Sequence, residues 1–98
     1  MVPVIYAPEA ERDLEAITTF IAKDNPLAAE QFGFRLIERA ELLGIFPRLG
    51  RQVLGKHNVR VLLERPVKIY YRLGPDDQSV EILRFWHASR DPDSLSFG

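Results

Sequence analysis

The chain has 98 residues, enough for one domain with a single core and too few for two. Apolar residues make up 46% and charged residues 28%, the balance of a folded globular protein, and the lack of cysteine excludes disulfides, thiolate catalysis and cysteine-ligated zinc. The net charge of −1 conceals an asymmetry: residues 1–47 carry eight acidic and four basic side chains, residues 48–98 six acidic and nine basic.

The opening MVPVIYAPEAERDLE has no basic leader and turns acidic at once, and no apolar run reaches the ~18 residues of a membrane span. The expectation is a soluble, cytoplasmic chain with no membrane partner. "VIYA" reads as a short strand. Pro8 then suits the first helical position, and Glu9, Glu11 and Asp13 suit the positive end of a helix dipole. Ala10, Leu14, Ile17 and Ile21 give that helix an apolar face, and "KDNP" stops it. Asn25-Pro26 opens a second helix as N-cap and first residue; Ala29, Phe32, Leu36, Ala40 and Leu43 mark its face, and Gly44 closes it.

From there the apolar period falls from 3.6 to 2. "NVRVLL", "VKIYYRL" and "SVEILRFW" read as three antiparallel strands, joined by "ERP" and "GPDDQ". A three-residue loop at "ERP" sets Leu63 opposite Val67. Val59, Val61, Ile69 and Tyr71 then share the helix-facing side, and Arg60, Lys68 and Arg72 gather on the other. In the last strand Leu83 and Phe85 are placed toward the helices, with Arg84 near Lys68. The order is β-α-α-β-β-β and the fold class α+β: an N-terminal strand, then a two-helix hairpin packed on an antiparallel meander, with residues 1–98 as one domain.

The last strand ends in "RFWHASRDP", which concentrates the chemistry. His57 and His87 lie far apart without carboxylates at ligand spacing, so no metal or other cofactor is expected. "RLGRQVLGKHN" lacks the spacing of a phosphate loop. His87, Ser89 and Asp91 crowd one turn, too tightly for a hydrolase triad. Acid–base cleavage of RNA demands less, because imidazole titrates near neutral pH and Arg60, Lys68, Arg84 and Arg90 could offset phosphorane charge. The competing reading makes His87 a hydrogen-bonded strand end and Arg90-Asp91 a turn lock.

"YAPEAERDLEAI", "DNPLAAEQF", "FPRLGR", "VRVL", "IYYR" and "HASRD", in this order, resemble the RelE/ParE superfamily of bacterial type II toxin–antitoxin toxins, and ParE more than RelE. The resemblance spans nearly the whole chain. It implies a toxin neutralised by a cognate antitoxin that packs a helix beside the hairpin and runs along the sheet, in a higher-order hetero-oligomer. The antitoxin is expected to cover Phe32, Leu36 and Phe46, with Arg72 nearby.

RelE-like members cut mRNA on the ribosome, whereas ParE-like members poison DNA gyrase. The nuclease arginine of the central strand falls here at Lys68 and that of the last motif at Arg90. The loop lysines reduce to Lys56, no tyrosine follows Tyr71, and the C-terminal tyrosine would fall near Ser96 or Phe97. The resemblance therefore implies a gyrase binder that contacts its target through Arg60, Lys68, Arg84 and Arg90. Two alternatives stay open: a ribosome-dependent mRNA endonuclease working through His87, Arg90, Lys68 and Arg60, and a degenerate, non-toxic module that still binds antitoxin.

Overall fold

The computed structural model describes residues 1–97; Gly98, the end of the expected domain, lies outside the described residues. Strand β1 (Val4–Tyr6) leads into helix α1 (Pro8–Ala22), and helix α2 (Pro26–Leu42) returns antiparallel to it. Both helices begin on proline, and the Asn25 side chain accepts from the Ala28 N–H at 3.0 Å, as its N-cap position requires. The strands β2 (Arg51–Gln52), β3 (Val59–Glu64), β4 (Val67–Leu73) and β5 (Val80–His87) follow.

The expected order of elements holds, with one short strand added. The sheet is mixed: its order is β1-β5-β4-β3-β2, and β1 joins β5 in parallel. The core lies between helices and sheet. It takes Ala10 from α1, Leu36 and Ala40 from α2, and Leu62, Val67, Ile69, Tyr71, Ile82 and Phe85 from the strands.

Two expectations of register are overturned. The β3–β4 hairpin turns through only two residues, Arg65 and Pro66, joined by a cis peptide, so Leu63 pairs with Lys68 and not with Val67. A slip of one residue exchanges the faces of a strand. Leu62 therefore faces the helices, while Val59 and Val61 join Tyr70 on the outer side. Arg60 turns to the helix side opposite Tyr71, away from Lys68 and Arg72.

The second correction concerns β5, where a bulge interrupts pairing: Tyr70 opposes Arg84 but Tyr71 opposes Ile82, leaving Leu83 extra. Leu83 consequently packs outward with Trp86, and Phe85 alone keeps the expected helix-facing position. Arg84 lies opposite Tyr70, and Lys68 opposite Trp86.

The loop after α2 is pinned by one phenol. The Tyr71 hydroxyl accepts from the Gly50 N–H and donates to the Pro47 carbonyl, each at 2.8 Å, inside the core. Gly50 sits so close that a Cβ there would meet the Val61 carbonyl oxygen at 2.7 Å and the Tyr71 ring at 2.8 Å. Tyr71→Phe leaves that amide and carbonyl without their partner, so a loss of about 1–3 kcal/mol is expected in the denaturant midpoint. A change below about 0.5 kcal/mol would show that the loop is held otherwise.

Candidate functional site

Strand β1 ends at Tyr6, so β5 has a strand neighbour on that edge only as far as Ile82. Beyond it α1 supplies a carboxylate. Asp13 accepts from Arg84 Nε at 2.7 Å, from Arg84 Nη2 at 2.9 Å and from the Phe85 N–H at 3.1 Å. It closes the strand edge and neutralises the guanidinium in one step. Both side chains are largely buried, and the bond to Asp13, which outweighs desolvation, holds Arg84 above its ordinary pKa.

Sequence reasoning assigned Asp13 to the helix dipole and missed this role. The signal was available: Asp13 follows Ala10 by three residues and precedes Ile17 by four, on the face that meets the sheet.

Beside this junction an apolar cleft of about 620 Å³ opens between α1, the start of α2 and the end of β5. Ile17, Phe20, Ile21, Phe32, Pro66 and Phe85 line it, and Asp13, His87, Ser89 and Arg90 add polar groups. Phe20 is 71% exposed. His87 Nδ1 accepts from the Ser89 backbone N–H at 3.0 Å, and the Ser89 hydroxyl lies 2.7 Å away. An N–H donor at Nδ1 places the proton of the neutral ring on Nε2. The strand-end histidine thus closes the turn through one nitrogen. Arg90 leaves the turn and stacks over Trp86, 4.0 Å from the ring centroid.

Three of the four expected target contacts gather around Trp86, and one lies apart. Arg60 donates to the Gly50 carbonyl at 2.6 Å on the helix side. Arg84 is bound to Asp13 and lies 5.1 Å from the Trp86 ring centroid. Lys68 is opposite Trp86 and Arg90 stacks on it, and among the described residues neither of these two forms an ion pair. The phenols offer no ready acid: burial pushes both Tyr70 and Tyr71 above their ordinary pKa, and Tyr71 is clamped by the loop.

The expected antitoxin contacts also separate. Phe32 lines the cleft, whereas Phe46 lies past the other end of α2, about 20 Å along the helix axis. Leu36 between them is fully buried in the core, so it offers no surface to a partner; its spacing marked a core position. Arg72 lies on the outer face and pairs loosely with Glu81 at 3.8 Å.

The described residues thus form a helical hairpin on one face of a five-stranded mixed sheet, with a strand end that carries His87 and Arg90 beside an apolar cleft. The fold matches that of a chain from the chromosomal ParDE toxin–antitoxin system of P. aeruginosa, with TM-score 0.76 and 23% identity over 89% of this chain and 96% of that one. It also matches a chain of the RelBE2 toxin–antitoxin complex of Mycobacterium tuberculosis, with TM-score 0.64 and 21% identity over 88% and 96%. A toxin of Caulobacter vibrioides named RelE2 is 33% identical over 90 residues, covering 92% of this chain and 99% of the relative. The family model for ParE toxins of type II toxin–antitoxin systems matches residues 4–92, and the chain belongs to that family. It is a type II toxin of the RelE/ParE superfamily.

Proposed function

We propose that this toxin acts by binding DNA gyrase without turnover, and that a cognate antitoxin, expected to be encoded beside it, neutralises it. The observation that carries the reading is that much of the acid–base set is already engaged in holding the fold. RNA cleavage needs a base, an acid and cations around one phosphate. Here Arg60 is held by a backbone carbonyl, Arg84 by Asp13, and Tyr71 by the loop, which leaves His87 with Arg90 at the cleft but without the further cation and the phenol that cleavage would use. Binding needs only a shaped, charged surface, and Lys68 and Arg90 beside Trp86 provide one. The cleft with its exposed Phe20 is the apolar surface that an antitoxin segment would cover.

The test is expression without antitoxin, read in two ways. A DNA-damage response with intact mRNA is the expected result. Rapid mRNA cleavage at ribosomal A sites without that response would overturn the reading in favour of a nuclease. Harmless expression would identify a degenerate module that keeps the fold.

A further inference from the structure

The basic half of the chain has its densest stretch in the connection from α2 to β3. Between Glu41 and Glu64 there is no acidic side chain, while Arg48, Arg51, Lys56, His57 and Arg60 all fall there. Arg48 is bound to Asp77, and Arg60 to the Gly50 carbonyl. Arg51 and Lys56 form no ion pair among the described residues.

The connection ends in a tight turn between β2 and β3. The Val53 N–H donates to the Val59 carbonyl at 2.8 Å, and the Lys56 N–H to the Val53 carbonyl at 3.2 Å. Gly55 has a φ of +79°, as the third residue of a type II turn requires, so Leu54 occupies the second position. Leu54 is 98% exposed, more than any other large apolar side chain among the described residues. That position favours proline for its backbone angle, so a leucine there serves neither the turn nor the core.

The turn is remote from the cleft. Val59 pairs with Arg72 and Glu64 with Val67, and Val67 pairs in turn with His87. The turn therefore leaves β3 at the end away from His87, about 17 Å along the strand. It also adjoins β2, at the sheet edge opposite β1. A segment seated in the cleft leaves Leu54 in water.

We propose that residues 53–58 form a docking finger for the protein on which this toxin acts. Leu54 enters an apolar pocket of that protein, and Arg51 and Lys56 meet carboxylates on its rim. Gly55 and Asn58, both in the left-handed region, and the two backbone bonds hold the tip in one conformation, so little ordering is left for binding to impose. A side chain fully in water yields its whole apolar surface to the contact. A surround that carries cations and no acid attracts an acidic surface and rejects a basic one. The inference rests on the gyrase reading only for the identity of the target.

The test is made on the full chain, induced without antitoxin and also purified. Leu54→Ser should weaken toxicity at least tenfold and raise the half-inhibitory concentration for gyrase supercoiling by the same factor. Its melting midpoint should stay within about 3 °C of the parent, and its antitoxin affinity should be unchanged. Leu54→Met, which keeps the apolar volume, should recover most of what Leu54→Ser loses. Arg51→Glu with Lys56→Glu should also weaken toxicity at least tenfold. Parental toxicity in Leu54→Ser would overturn the finger, and if the charge reversal alone were harmful the contact would be one with a nucleic-acid backbone. An equal loss of antitoxin affinity would assign the tip to the antitoxin interface and overturn its role at the target. Toxicity that follows Leu54 in a chain that never inhibits gyrase would support the finger and remove gyrase as the target. A parent that does not arrest growth would overturn both.

Discussion

Asp13→Ala is expected to be the most destabilising single substitution in the molecule outside the large core side chains. It removes three hydrogen bonds at once and leaves a guanidinium, largely buried, with no counter-charge. Breaking a buried pair from one side costs about 3–5 kcal/mol. For a domain of this size that corresponds to a fall in melting temperature of roughly 15–30 °C. Asp13→Asn should fall between, since its amide oxygen can still accept from the Phe85 N–H.

The partner substitution separates charge from geometry. Arg84→Met in the Asp13→Leu background should cost clearly less than the two single changes added together, because neither charge is then stranded. Circular dichroism melts of the four proteins decide the matter. Additive losses would mean that Asp13 and Arg84 stabilise the fold independently, and a loss below about 0.5 kcal/mol for Asp13→Ala would remove the junction from the account.

The second large effect falls on toxicity. Arg90→Ala is expected to weaken toxicity at least tenfold, with a stability change of only about 0.5–1 kcal/mol from the lost stacking on Trp86. The matched change at His87 is best made to asparagine. Its amide oxygen can stand where Nδ1 accepts from the Ser89 N–H, so the turn survives while the proton-transfer group is gone. A binder tolerates His87→Asn and a nuclease does not. Growth after induction, with antitoxin binding checked for each variant, distinguishes the two: loss of toxicity at His87 with Arg90 neutral would contradict the binding reading.

The helices were legible because their signals are local. Prolines at both starts, the Asn25 cap and the 3.6-residue apolar spacing all lie within a few positions of the boundaries they set. The strands were legible for the same reason, but their faces were not. Counting "ERP" as a three-residue loop moved the register by one, which carried Arg60 to the wrong side and Leu62 with it. Nothing local in "VEILRFW" announces the bulge at Leu83, which depends on pairing with Tyr70 and Tyr71 of the preceding strand.

The site fared differently from the fold. "HASRD" marked the strand-end turn correctly, since a histidine nitrogen closing on Ser89 is a contact between near neighbours. The grouping of Arg60, Lys68, Arg84 and Arg90 depended on register and on Asp13, 71 positions from Arg84. Leu36 shows the complementary error. Helical spacing identifies an apolar face, but it does not say which members of that face the chain itself will bury and which it leaves for a partner.

The central claim, binding without turnover, is tested most directly by DNA supercoiling with purified components. The toxin alone should inhibit gyrase as its concentration approaches that of the enzyme, the antitoxin should relieve the inhibition, and a ribosome-bound mRNA in a parallel reaction should stay intact. Undiminished supercoiling at excess toxin, together with cleavage of that mRNA by substoichiometric toxin, would contradict it.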